Sequence, residues 1–252
     1  MFLEERGGGG LPVLCLHGFC QSSAYWLPTL ERLAAEGRAA LAPDLAGFGA
    51  SAGDSGPYTM EDYADALAGL LAARGIRRAV VVGGSMGGVV AQYVALRHPA
   101  LVDRLLLVAT GAFTADPAAA LARADAFAAR WDDAAADSVV AGFFHRPPEE
   151  ARLAAFRRIA RGATQAAAVG ATRSNALART YERLAEITVP VRIIQGRHDK
   201  ARTPEHGQAM CERLADARLS VLSGSGHTPQ LEEAEAFHSL ALPFLLGGAD
   251  NF

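Results

Sequence analysis

Residues 80–92 read VVVGGSMGGVVAQ: a run of valines stops at four glycines set around one serine, and apolar residues then resume at helical spacing. The valines predict a buried strand and the residues after Met86 a helix, so the chain must turn back at Ser85 itself. A strand-to-helix turn that sharp strains the serine backbone and crowds the positions two before and two after it. Gly83 and Gly87 stand there, with no side chain to collide. The turn also leaves the Met86 N–H unsatisfied at a helix N-terminus, where the helix dipole favours negative charge. Two other uses of such glycines do not fit. A dinucleotide fingerprint has glycine where Ser85 stands, and a phosphate loop has lysine where Val89 stands.

Further short apolar runs bounded by Gly or Pro recur at 11–18 (LPVLCLHG), 38–44 (RAALAPD), 103–110 (DRLLLVAT), 189–196 (VPVRIIQG) and 218–224 (RLSVLSG), each reading as a buried strand. Helical segments at 25–37, 59–75 and 86–99 separate several of them, and Thr59 before Asp62 and Gly75 supply an N-cap and a C-cap for the second. Alternation of this kind implies crossover helices and a parallel sheet. The rhythm breaks between 113 and 187, where alanine, arginine and leucine dominate and no strand-like run occurs. The expected architecture is α/β: a mainly parallel sheet flanked by helices, built from residues 1–112 and 188–252, with a helical cap inserted at 113–187 and HRPPEE (145–150) as its internal turn. The run 232–245 predicts a terminal helix, and GGADNF a frayed tail.

A serine hydroxyl is a poor nucleophile unless a base takes its proton, so a histidine oriented by a carboxylate is required. Of seven histidines, His227 has the fitting context, a Gly/Ser loop between the last strand and the last helix. Asp199, in QGRHDK, leaves the end of the preceding strand on the same sheet edge, giving the chain order Ser85, Asp199, His227. The segment after the first parallel strand, CLHGFCQSSAYW, brings a backbone N–H near Ser85; with Met86, Phe19 is the candidate second donor for an oxyanion, and His17 is a turn organiser. Asp44 reads as a loop-ordering carboxylate beside turns at Gly47 and Gly49. His198 and His206 match no zinc spacing, and His98, His145 and His238 read as solvated surface residues.

The formal net charge of -3 and the absence of a Lys/Arg block give nucleic acid nothing to hold. Three cysteines, two of them flanking a buried strand end, suggest no disulfide framework and fit a reducing cytoplasm. The opening MFLEERGGGG has no apolar core of a secretory signal, and no apolar run reaches membrane-spanning length. The expectation is a soluble cytoplasmic protein acting on a small molecule, without nucleic acid or membrane as partner and with a homodimer left open.

Taken together, HGF…W (17–26), PDLAGFGAS (43–51), GGSMGG (83–88), GRHD (196–199) and GSGHTPQLEEAEAF (224–237) resemble the α/β-hydrolase fold superfamily over nearly the whole chain. GGSMGGVVAQYVALRHP is similar to 3-oxoadipate enol-lactonases and related small esterases, whereas GRHDKARTPEHG and SGSGHTPQLEEAEAFH are similar to meta-cleavage C–C bond hydrolases. The resemblance implies a triad of Ser85, Asp199 and His227, an oxyanion hole from the Phe19 and Met86 amides, and a cap at 113–187. Departures weigh against C–C cleavage: Gly84 replaces the asparagine usual before the nucleophile, and FCQSSAY replaces a Gly-Pro-Gly stretch. The N-terminus has room for one strand, FLEER, so the family's usual first strand is missing. Haloalkane dehalogenases share the fold but use an aspartate where Ser85 stands.

The expected activity is cofactor-free hydrolysis of a small or medium ester or lactone through an acyl-enzyme. C–C bond hydrolysis is the alternative within the fold, and a slow-turnover ligand receptor the alternative of another class. Trp131, Phe143 and Phe144 are candidate pocket residues, although helical spacing explains such aromatics, like Phe156 and Tyr181, as ordinary core. Arg157, Arg158 and Arg161 either meet a substrate carboxylate or form a solvated helix face.

Overall fold

The computed structural model describes residues 1–248 of the 252-residue chain; the last four residues of the GGADNF tail lie outside the described residues. Strands β1 (Leu3–Arg6), β2 (Val13–Leu16), β3 (Ala40–Pro43), β4 (Ala79–Gly84), β5 (Val102–Val108), β6 (Val191–Gly196) and β7 (Ala217–Leu222) form one sheet in the order β1-β3-β2-β4-β5-β6-β7. Only β1 runs antiparallel, pairing Leu3 with Pro43 at the edge. The rest are parallel, as the short, doubly buried runs predicted. FLEER therefore supplies a single strand ahead of the parallel set.

Register fixes where the chemistry sits. Leu16 pairs with Gly83, Gly84 with Val108, and Gly196 with Leu222, so the segments carrying Phe19, Ser85, Asp199 and His227 all leave the sheet at one carboxyl edge. Side chains alternate along the strands into two cores. Leu14, Leu16, Val81, Leu105 and Leu107 face helices α2 (Met60–Ala73) and α3 (Met86–Arg97). Val13, Cys15, Val80, Val82 and Leu106 face α1 (Leu27–Ala35), which follows a 3-10 turn at Ser23–Trp26. Thr59 caps α2 by accepting from the Asp62 N–H, and Gly75 adopts φ +71° just beyond its end.

Between β5 and β6 the chain forms α4 (Pro117–Ala129), α5 (Asp133–Ala141), α6 (Glu150–Arg161) and α7 (Gln165–Leu177), then a 3-10 turn at Tyr181–Glu186. Asp116, Asp132 and Thr164 cap α4, α5 and α7 through their side chains. After β6 come α8 (Pro204–Cys211) and, beyond β7, α9 (Pro229–Glu232) and α10 (Ala234–Leu246). The terminal helix expected at 232–245 is α10; Glu233, at φ -128°, ψ 55°, separates it from α9, which takes Glu232. Phe237, Ala241 and Phe244 of α10 close the second core. Among the described residues no helix is long and apolar enough to cross a membrane.

Candidate active site

The turn between β4 and α3 places Ser85 at φ 53°, ψ -120°, a conformation that costs a non-glycine residue about 1–3 kcal/mol and persists only where its surroundings hold it. The Ser85 N–H donates to the Val108 carbonyl at 2.9 Å, and its carbonyl accepts from the Gly88 N–H at 2.9 Å and the Thr110 hydroxyl at 2.6 Å. The glycines are spaced by contact: a Cβ on Gly83 would lie 2.3 Å from the Gly87 oxygen, and one on Gly87 2.4 Å from the Leu16 oxygen. Gly88 matters as well, since its Cβ would meet Thr110 at 2.6 Å. That role was not read from the sequence; its signal is the threonine closing LLLVAT.

The Ser85 Oγ lies 2.7 Å from His227 Nε2, and His227 Nδ1 lies 2.6 Å from Asp199 Oδ2. The carboxylate accepts, so Nδ1 carries the proton and Nε2 is left to accept from the serine hydroxyl. Asp199 is only 4% exposed, and its other oxygen accepts from the Ala201 and Arg202 amides at 2.8 and 2.9 Å. The His227 N–H donates to the Phe143 carbonyl at 3.1 Å, and the two rings stack at 6.2 Å. The three residues expected from the order of the chain are therefore brought into one hydrogen-bonded line.

Above Ser85, Phe19 and Met86 line the same cavity as Ser85 and His227. Among the described residues no intramolecular hydrogen bond uses either backbone N–H. The approach is close: a Cβ on Gly18 would lie 3.1 Å from the Ser85 Cβ. His17 holds the preceding turn, with Nδ1–H donating to the Gly18 carbonyl at 2.8 Å and Nε2 accepting from the Leu45 N–H at 2.9 Å. Asp44 accepts from the Ser23 and Ala50 amides at 2.6 and 2.7 Å, in keeping with a loop-ordering part.

The cavity measures about 470 Å³ and sits between the sheet edge and the helices of the insertion, with Val139, Phe143, Ala171 and Ala176 among its apolar lining. Phe143 is in the wall, but Trp131 and Phe144 are not. Trp131 lies behind it, edge-on to Phe127, its indole N–H donating to the Ala163 carbonyl at 2.7 Å. Phe144 stacks on Phe156, which packs against Tyr25. Both are core of the insertion: they lie in the connections that flank α5 and not in a helix, so periodicity does not say which neighbour each one meets. Arg157 and Arg161 form ion pairs with Glu150 and Asp137 on a solvated face. The arginines in the wall are Arg123 and Arg202, neither picked out in the sequence.

His238, read as a surface residue, is 3% exposed and its Nε2 lies 3.1 Å from the Thr29 hydroxyl, because α10 packs on α1 through that face. His145 is exposed and stacks on His198 at 3.7 Å, while His206 stacks on Phe113, so His198 and His206 sit against different partners. Among the described residues no three His, Cys, Asp or Glu side chains are grouped to hold a metal ion.

The geometry agrees with comparisons to known proteins. Residues 13–240 match the alpha/beta hydrolase family, which spans all the segments described above except β1 and the end of α10. An uncharacterized protein of Mycobacterium tuberculosis is 30% identical over 94% of this chain and 76% of its own length. 3-oxoadipate enol-lactonase 2 of Acinetobacter baylyi is 30% identical over 77% of this chain and 74% of its own. Among solved structures, the enol-lactonase from Burkholderia xenovorans superposes with a TM-score of 0.90 at 27% identity, covering 97% of this chain and 96% of that one. A hydrolase from Pseudomonas aeruginosa gives 0.89 at 28%, covering 98% and 94%. With its strand order, its serine turn and these matches alike, the chain belongs to the alpha/beta hydrolase family.

Proposed function

We propose that the protein is a serine hydrolase that opens a small or medium carboxylic ester or lactone. The observation that carries this reading is the line from Ser85 Oγ through His227 to Asp199, set beside two backbone amides with no other partner. Ser85 Oγ bonds to the carbonyl carbon as its proton passes to His227 Nε2, and Asp199 holds the tautomer and stabilises the imidazolium. The carbonyl oxygen takes up negative charge between the Phe19 and Met86 N–H groups, each contributing about 3 kcal/mol in the transition state. Collapse breaks the ester C–O bond and returns the proton to the leaving oxygen. Water then attacks the acyl-enzyme, its proton passing through His227 back to Ser85, and an acid and an alcohol, or one hydroxy acid from a lactone, are released. Water is the sole co-reactant. The helices between β5 and β6 serve as a cap whose lining sets selectivity.

The named activities of relatives support esters and lactones: an enol-lactonase from Acinetobacter baylyi and a pimeloyl-[acyl-carrier protein] methyl ester esterase from Neisseria meningitidis are 30% and 32% identical over the matched parts. Gly84 supports the same choice over C–C cleavage, since it stands where those hydrolases usually have asparagine, and a Cβ there would sit 3.2 Å from Trp26, so the indole would have to shift by a few tenths of an ångström. The test compares kcat/KM for p-nitrophenyl esters and enol-lactones with that for a vinylogous diketone. Esters or lactones should be the faster substrates. His227→Ala and Asp199→Asn should each lose about three to four orders of magnitude. Faster cleavage of the diketone, or a fully active Asp199→Asn enzyme, overturns the reading.

A further inference from the structure

Two arginines line the otherwise mainly apolar cavity over Ser85: Arg123 from α4 and Arg202 from the loop after β6. Several arginines of the insertion are ion-paired away from the cavity, Arg157 with Glu150, Arg161 with Asp133 and Asp137, and Arg173 with Asp125. Among the described residues neither Arg123 nor Arg202 is ion-paired. Arg202 donates only to the Phe113 carbonyl, at 3.1 Å. Asp199 is within electrostatic reach of Arg202, but its oxygens are taken by His227 and by the Ala201 and Arg202 amides. Burial lowers the Arg202 guanidinium below its usual range; Asp199 opposes the shift, and the charge on Arg123 adds to it. Arg202 is half-buried without a counter-ion and Arg123, although exposed, adds like charge beside it; that is costly, and a bound anion offsets the cost.

A second, independent feature points into the same space. Thr172 of α7 is 4% exposed and lines the cavity, and its hydroxyl has no hydrogen-bond partner. One turn along, the Asn175 side-chain oxygen is likewise buried and without a partner, and rotation of that amide presents an N–H instead. A guanidinium with a neighbouring hydroxyl is suited to grip a planar carboxylate through paired N–H donors. We propose that Arg123, Arg202 and Thr172 form an anion subsite, so that the ester or lactone turned over at Ser85 carries a carboxylate held apart from its scissile carbonyl. This rests on the hydrolase reading above and narrows its substrate class.

The experiment has two arms that separate the two ideas. Binding of glutarate to the intact protein, followed by calorimetry, reads the subsite without turnover. Hydrolysis of mono-p-nitrophenyl glutarate against the neutral p-nitrophenyl hexanoate reads it during turnover. Glutarate should bind and weaken with added salt, and Arg123→Gln and Arg202→Gln should each weaken it by about tenfold or more. The kcat/KM ratio of anionic to neutral ester should exceed one and fall about tenfold in each variant. Arg157→Gln, on the solvated face, should leave both measurements unchanged. No glutarate binding, binding indifferent to both cavity arginines, or a ratio below one overturns the subsite, and continued Ser85-dependent hydrolysis of the hexanoate then leaves the hydrolase reading standing. Glutarate binding without hydrolysis of either ester upholds the subsite and overturns that reading.

Discussion

A histidine gripped by one donor and one acceptor of the backbone has a single protonation state to offer. His17 is fully buried, gives its Nδ1 proton to Gly18 and takes the Leu45 N–H on Nε2, so a second proton would set two N–H groups against each other. Burial lowers its pKa from the ordinary 6.5, against smaller opposing contributions from the Gly18 carbonyl and Asp44. Burial does the same to His238, with Arg32 adding to it. Below pH 6.5 the unfolded chain takes up protons that the native state refuses, so this stability is fully present above that pH and is lost as pH falls. Urea midpoints should drop on acidification from pH 6.5, with a slope of up to about 1.4 kcal/mol per pH unit for each such histidine, and His238→Gln should flatten it. A wild-type slope of zero, or one untouched by His238→Gln, contradicts the account. His17 was legible because a turn residue right after a buried strand has backbone groups to organise. His238 was not, since α10 is apolar on nearly every side and its sequence does not say that α1 brings Thr29 to that point.

At the scale of elements, the short helix α9 joins the insertion to the loop that carries His227. Glu232 Oε1 accepts from the Gly226 N–H at 3.0 Å and the Thr228 hydroxyl at 3.1 Å, while Oε2 accepts from the His145 N–H at 2.7 Å, 87 residues away. The Phe143 carbonyl completes the join by accepting from the His227 N–H. Glu232→Gln replaces one of the acceptor oxygens with a donor, leaving at least one amide without its partner. The expected result is a kcat/KM about tenfold lower together with faster proteolysis in the 145–149 connection, the two moving together because one carboxylate serves both loops. Unchanged proteolysis and unchanged kcat/KM would separate the connection from the catalytic loop. The motif containing Glu232 was visible in the sequence, but its hydrogen-bond partners come from a distant element and leave no local trace.

For the molecule as a whole, much of the plan was legible because strand physics is local: each doubly buried run announced itself, and crossover helices forced the runs parallel. The carboxyl-edge rule then placed Ser85, Asp199 and His227 together without knowledge of any distance. The cavity wall was less legible. Trp131 and Phe144, like Phe143, lie in the connections that flank α5, and what separates wall from core is how α4, α5 and α6 pack on one another. Arg123 and Arg202 look like any surface arginines until the fold shows which line the cavity. The central claim is that the strained turn makes Ser85 a covalent nucleophile, and intact mass spectrometry after treatment with a fluorophosphonate or sulfonyl fluoride, with peptide mapping, tests it most directly. The account predicts one adduct per chain, on Ser85, absent from Ser85→Ala and strongly slowed in His227→Ala. An adduct on another residue, or no adduct under conditions that support ester turnover, would contradict it.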